Sequence, residues 1–308
     1  MSYPKQAFIT EVGPRDGLQN EKQPVSTDIK VELCERLLAA GVTQLEASSF
    51  VSPKWVPQMA DAAQVLARLP RRAGLTLSVL TPNMKGFEGA LASGVDEVVI
   101  FGAASEAFSQ RNTNCSVAES IERFRPVAEA AHANGIRLRA AISVAFGCPY
   151  QGEVPIESVV DLVCRTRDLG CDEIGIADTI GVATAGHVKQ VFEAAAREVA
   201  IDRMSAHFHD TYGQGVANVL ASLEVGIHRF DSSIAGLGGC PYAKGATGNV
   251  ATEDVVWLLH GLGIPTGLDL DRLVEAGQWI SEQLGRRNGS RAGSALTARR
   301  AAMAQAPA

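Results

Sequence analysis

Six times along this 308-residue chain an amphipathic stretch ends at a glycine and a short apolar run follows, at Gly41, Gly74, Gly94, Gly135, Gly170 and Gly226. A residue without Cβ is favoured just past a helix's last turn, where the backbone becomes left-handed, so each glycine reads as a helix-to-strand junction. The runs that follow, such as residues 98–101 (VVIF) and 174–177 (IGIA), are continuously apolar rather than alternating, the pattern of parallel strands buried on both faces. The helices are equally legible. Ser116 and Glu119 form a capping box ahead of Val117, Ile121, Phe124, Ala128 and Ala131, which recur at helical spacing.

Eight strands are expected, near residues 7–12, 43–48, 75–80, 96–101, 136–144, 172–177, 203–209 and 229–235. One helix between most neighbours, within about 250 residues, is the rhythm of an α/β chain folded as a (β/α)8 TIM barrel; a doubly wound sheet of this length would show fewer strands and a nucleotide loop after the first. Residues 1–285 are therefore expected to form a single barrel domain with its active site at the carboxyl ends of the strands. Residues 286–308 hold five arginines, no acid and no long aliphatic stripe, and are expected to be a mobile tail.

Composition narrows the class of task. With 46% hydrophobic residues the chain can bury a large core, and 28 basic against 34 acidic residues argue against general affinity for nucleic acid or an anionic membrane. The longest uncharged stretch, residues 255–268, falls short of the ~18 apolar residues of a membrane span, and the start lacks the layout of a secretory signal. A cytoplasmic protein acting on a small molecule is expected. The six cysteines contain no C-x-x-C pair, so neither a disulfide framework nor a zinc ribbon is indicated.

Polar residues gather at the expected strand ends. His207 and His209 lie two apart on a strand, so both side chains point to one face and can hold one ion; the alternative is two hydrogen-bonded histidines near a strand end. Asp16 and Asn249, if both reach inward, complete a shell of two imidazoles and oxygen donors that suits Mg²⁺ or Mn²⁺. Arg15 is either a surface partner of Asp16 or a fixed positive charge for a developing oxyanion. Glu46, a carboxylate in an otherwise apolar strand, needs a partner such as Arg15 and either orients it or acts directly. Asp178 carries the same two readings, direct involvement or a structural hydrogen-bonding role. The five glycines of residues 236–248 match no nucleotide-binding pattern but suit a lid that brings Cys240 over the barrel mouth. There a thiol near a cation can move protons, although a small apolar loop residue is the competing reading.

Seven stretches, EVGPRDGLQNEK at 11–22, FVSPKWVPQM at 50–59, VVIFGAASE at 98–106, GCPYQG at 147–152, ADTIGV at 177–182, HFHDTYGQ at 207–214 and AGLGGCPYAKGATGNVATED at 235–254, together resemble the hydroxymethylglutaryl-CoA lyase family over about residues 7–285. The resemblance implies a divalent metal on Asp16, His207, His209 and Asn249, with Arg15 stabilising an enolate. It also implies Cys240 as an acid/base residue, with His207 as the other proton carrier at the site, and Glu46 and Gln19 in support. Lys22 is implied to help receive the acyl-CoA substrate; barrels of this kind often pair, so a homodimer is one assembly open to the chain. The reaction implied is a retro-Claisen cleavage of 3-hydroxy-3-methylglutaryl-CoA to acetyl-CoA and acetoacetate. A longer 3-alkyl chain such as isohexenyl, a condensing acyl transferase with the same H-x-H pair, and a non-catalytic metal or CoA sensor are the rivals. Since no cysteine follows Cys240, thiol regulation through the carboxyl terminus is not expected.

Overall fold

The computed structural model describes residues 3–239 and 247–305. Eight strands, β1 (Phe8–Glu11), β2 (Gln44–Ser49), β3 (Thr76–Leu80), β4 (Glu97–Ala103), β5 (Arg137–Ser143), β6 (Glu173–Asp178), β7 (Met204–Phe208) and β8 (Arg229–Ser232), form a closed barrel in chain order. All pair in parallel, and β8 closes on β1 with Phe8 opposite Arg229 and Glu11 opposite Ser232. The helices are α1 (Thr27–Ala39), α2 (Ala62–Arg68), α3 (Met84–Ala92), α4 (Glu106–Thr113), α5 (Val117–Ala133), α6 (Ile156–Asp168), α7 (Ala185–Ala195), α8 (Gly215–Glu224), α9 (Thr252–Gly261), α10 (Leu270–Gln283) and α11 (Arg291–Gln305). Every strand is thus followed by a helix, the α/β arrangement read from the sequence. No helix among the described residues is long and apolar enough to cross a membrane.

The glycine punctuation holds with one exception. Gly41, Gly94, Gly135, Gly170 and Gly226 follow α1, α3, α5, α6 and α8 with positive φ, whereas Gly74, also positive, lies in the connection beyond α2 rather than at its end. The capping box is formed: Ser116 N–H donates to Glu119 at 2.7 Å, and Glu119 N–H to Ser116 Oγ at 3.2 Å.

The apolar faces of the strands, with Leu45, Leu77, Ile100, Leu138, Ile174, Ala206 and Phe230 buried, pack against the helices. The barrel interior is different, because it carries charge. Arg139 of β5 pairs with Asp231 of β8 and with Glu173 of β6 at 3.1 Å, and Arg229 faces Glu173 at 3.6 Å. As β5 and β8 are not neighbours, the Arg139–Asp231 pair spans the interior. Buried charges persist only when paired, and these are.

The expected mobile tail is instead a docked helix. Asp254 of α9 accepts from Ser290 Oγ at 2.7 Å, Arg291 N–H at 3.2 Å and Ala292 N–H at 2.7 Å, which satisfies the free amides that open α11. Arg300 then pairs with Asp271 and Glu275 of α10. The acids that this basic segment lacks are supplied by the two helices before it.

Candidate metal centre and active site

From β1 the chain passes directly into a single π-turn over Gly13–Gly17 that carries Arg15 and Asp16. Glu11 locks this turn in place. Its buried carboxylate accepts from Gly13 N–H at 2.8 Å, Ile234 N–H at 2.9 Å and Thr252 Oγ1 at 2.6 Å, joining the turn to the segment after β8 and to the start of α9. Burial pushes the Glu11 carboxyl up to about 7, against the pull of those hydrogen bonds. Gly17 permits the contact from the other side, since a Cβ there would lie 2.8 Å from both Leu237 Cβ and Ser233 Oγ.

Asp16 thereby meets the end of β7. His207 Nε2 lies 4.0 Å and His209 Nε2 3.8 Å from Asp16 Oδ2, and one donor atom from each of the three residues falls within 4.8 Å of the others. Asn249 closes the group from beyond β8, its Nδ2 donating to Asp16 Oδ2 at 2.9 Å and to Leu237 O at 3.1 Å. The same amide's Oδ1 is buried with no hydrogen-bond partner among the described residues. Such an orphan costs roughly 1–3 kcal/mol unless something accepts its lone pair, and a cation does so. Two imidazole nitrogens, a carboxylate and an amide oxygen fit a divalent ion of the Mg²⁺ or Mn²⁺ kind.

The charge states agree with that use. Burial works against ionisation of Asp16, but Arg15 and the two histidines outweigh it and hold the carboxyl well below its usual range. Burial, then the neighbouring His207, lowers His209 to about 4, so its imidazole is neutral at physiological pH. For His207 burial is opposed by Asp231, whose Oδ2 lies 3.1 Å from Nδ1, and the net shift is upward.

Arg15 is no surface residue. Its Nε and Nη2 donate to Glu46 at 2.7 and 3.1 Å and its Nη1 to Asp16 at 2.5 Å, and Glu46 itself is 1% exposed. Of the five guanidinium N–H groups two are left over, one on each Nη. Glu46 therefore holds the Arg15 guanidinium by two of its nitrogens. Asp178 is spent on structure: its carboxylate accepts from the amides of Val182 at 3.0 Å and Ala183 at 2.9 Å.

The remaining candidates divide. Gln19 follows the π-turn, and its Oε1 is buried without a partner among the described residues. Lys22 stands exposed in the connection to α1, which Gln58 pins by accepting from Val25 N–H at 2.9 Å and donating to Gln23 O at 3.0 Å. Cys240 lies outside the described residues. Two residues of the site escape sequence reasoning: Asp231 behind His207, and Arg139 behind Asp231. Their signal was a charge inside a strand otherwise expected to be buried, the same signal that singled out Glu46.

Comparisons with known proteins show the family to which the chain belongs. A family model described as HMGL-like matches residues 6–280. The chain is 57% identical over 299 residues to the 3-hydroxy-3-isohexenylglutaryl-CoA/hydroxy-methylglutaryl-CoA lyase of Pseudomonas aeruginosa, covering 97% of this chain and all of that protein. It is 51% identical to the mitochondrial hydroxymethylglutaryl-CoA lyase of Bos taurus, over 96% of this chain and 90% of the relative. The crystal structure of hydroxymethylglutaryl-CoA lyase from Pseudomonas aeruginosa superposes with a TM-score of 0.95 over 97% of this chain and 100% of that one. An HMG-CoA lyase of Acinetobacter baumannii, solved with coenzyme A and 3-methylmalate, does so at 0.91 with 35% identity over 96% of each chain. With a family model spanning nearly the whole barrel and more than half its residues identical to those of full-length relatives, this chain belongs to the HMGL-like family.

Proposed function

We propose that this protein is a divalent-metal-dependent carbon–carbon lyase that cleaves 3-hydroxy-3-methylglutaryl-CoA to acetyl-CoA and acetoacetate. The observation that carries the reading is the meeting of Asp16, His207, His209 and Asn249 at one point beside the Arg15–Glu46 pair. Those four residues would hold Mg²⁺ or Mn²⁺, and the bound ion supplies Lewis-acid polarisation of the substrate's 3-hydroxyl and a carboxylate oxygen.

The chain's own groups account for the rest. Cys240, as a thiolate, takes the 3-hydroxyl proton; the freed O–H pair completes the C3 carbonyl, the C2–C3 pair moves into the thioester as an acetyl-CoA enolate, and acetoacetate departs. The two N–H groups of Arg15 not spent on Glu46 or Asp16 would serve the oxygen on which that charge grows, and Glu46 holds the guanidinium for that use. Gln19 supports the same pocket. Cys240 then returns that proton to C2 of the enolate, and Lys22 offers charge to the CoA phosphates.

Acetyl-CoA release from a panel of 3-hydroxy-3-alkylglutaryl-CoA thioesters, with Mg²⁺ or Mn²⁺ and after chelation, tests the reading. The name of the Pseudomonas aeruginosa relative couples methyl and isohexenyl substrates, so the panel extends to isohexenyl. Cleavage of the methyl compound that stops on chelation and returns with either ion is expected; release that survives chelation, or none from any member, overturns it. Supplying acyl-CoA with a 2-oxoacid in the same assay separates condensation from cleavage. A homodimer is a separate proposal, decided by sedimentation velocity.

A further inference from the structure

Of the two histidines that meet Asp16, only one has its far nitrogen held. His207 Nδ1 lies 3.1 Å from Asp231 Oδ2, whereas His209 Nδ1 is buried with no hydrogen-bond partner among the described residues. Asp231 stands opposite His207 in the β7–β8 register, is 7% exposed, and is gripped on its other oxygen by Arg139. Arg139 is anchored in turn, by Ser205 Oγ at 3.1 Å and the Glu173 carboxylate at 3.1 Å. A carboxylate can only accept a hydrogen bond, so the proton of a neutral His207 sits on Nδ1 and the lone pair is left on Nε2, 4.0 Å from Asp16 Oδ2.

We infer that Asp231 is a positioning residue: with Arg139 holding its rotamer, it fixes His207 in the Nδ1–H tautomer and aims Nε2 at the cation site, a task that no described residue does for His209. The inference rests on the metal reading proposed above. It explains why a carboxylate and a guanidinium are buried one layer below the site when an apolar pair of equal volume would stabilise the barrel as well or better. Outer partners of this kind typically change metal affinity by about 10–100-fold.

Two measurements test it. In metal-free wild-type protein at about pH 9, where free imidazoles are neutral, long-range ¹H–¹⁵N spectra should show His207 as the Nδ1–H tautomer. In Asp231→Asn, Mn²⁺ binding followed by electron paramagnetic resonance should weaken by about 10–100-fold, and saturating Mn²⁺ should restore most of the turnover that the variant loses at low metal. A purely structural role would lower the melting temperature and leave the Mn²⁺ dissociation constant of the folded protein unchanged. An Nε2–H tautomer for His207 in the wild type, or unaltered Mn²⁺ affinity in folded Asp231→Asn, overturns the inference. If the variant does not fold, the wild-type tautomer decides alone. Failure of the wild type itself to bind Mn²⁺ would count against the metal reading instead.

Discussion

Replacing Gly248 with alanine should disable the site while leaving the barrel folded. An added Cβ at that position would lie 2.3 Å from Gly236 O, 2.8 Å from Leu237 C and 2.9 Å from Leu237 O, all of them backbone atoms. Ordinary contact starts at 3.4 Å, so the chain must yield by about 1 Å. It has little freedom to do so elsewhere. Gly248 O accepts from Asp210 N–H at 3.1 Å, Asn249 N–H donates to Leu237 O at 3.3 Å, and Val250 N–H to Phe208 O at 2.9 Å. The displacement therefore falls on Asn249, whose 2.9 Å bond to Asp16 does not survive a shift of that size. Overpacking of this kind costs roughly 1–3 kcal/mol, which a barrel can absorb, whereas about 1 Å of misplacement at reacting groups costs about 100-fold in rate. Acetyl-CoA release should fall accordingly and the Mn²⁺ dissociation constant should rise, with the circular dichroism spectrum retained. Gly261→Ala, at the end of α9 with nothing within 4 Å of its added Cβ, is the control and should behave as wild type. Turnover and metal affinity of Gly248→Ala within about threefold of wild type would refute the link between this close approach and the placement of Asn249.

Three further outcomes are expected. Cys240→Ala should lower turnover by roughly two to four orders of magnitude, as for a lost acid/base group, with Mn²⁺ affinity intact; near-normal turnover removes the thiol from the reaction. Glu253, fully buried on α9 and accepting from Ala235 N–H at 2.9 Å, has its carboxyl pushed up to about 8, mainly by burial. The folded state keeps that proton to higher pH than the unfolded chain, so its contribution is complete in acid and declines as pH rises toward about 8, by at most ~1.4 kcal/mol per unit. Urea melts of Glu253→Gln should accordingly gain on wild type between about pH 5 and pH 8, and parallel curves would contradict this. Asp254→Ala removes the acceptor of three hydrogen bonds that open α11. Amide exchange through residues 291–305 and tryptic cutting at Arg299 and Arg300 should quicken, with acetyl-CoA release unchanged.

What the sequence made legible was local or periodic. Glycine after a helix, continuous apolar runs and a capping box each operate within a few residues, and they sufficed to count the strands. The H-x-H pair was legible because a strand's period of two puts both rings on one face, where their Nε2 atoms lie 4.0 and 3.8 Å from Asp16. Residues whose meaning depends on a distant partner were read less well. The arginines after residue 286 resemble a solvated tail until Asp254, Asp271 and Glu275 are known to lie beneath them. Val144 adopts a φ of 53°, which no β-branched residue announces, while its N–H donates to Thr179 Oγ1 at 2.8 Å across to β6.

The interior charges show what a better reading would use. Taken strand by strand, Glu97, Arg139, Glu173 and Asp231 are each a costly flaw in an apolar run. In register they become partners: Glu97 stands opposite Arg137, Arg139 opposite Glu173, and Asp231 opposite His207. A parallel barrel in chain order fixes those neighbours once its strands are counted, so a charge in one strand predicts its complement at the matching position in the next. Glu46 belongs to the same logic with one step added, because its partner Arg15 comes not from a strand but from the turn that β1 runs into. The burial of these groups is therefore informative in itself: a carboxylate tolerated inside the barrel marks either the cation's surroundings or the scaffold that aims them.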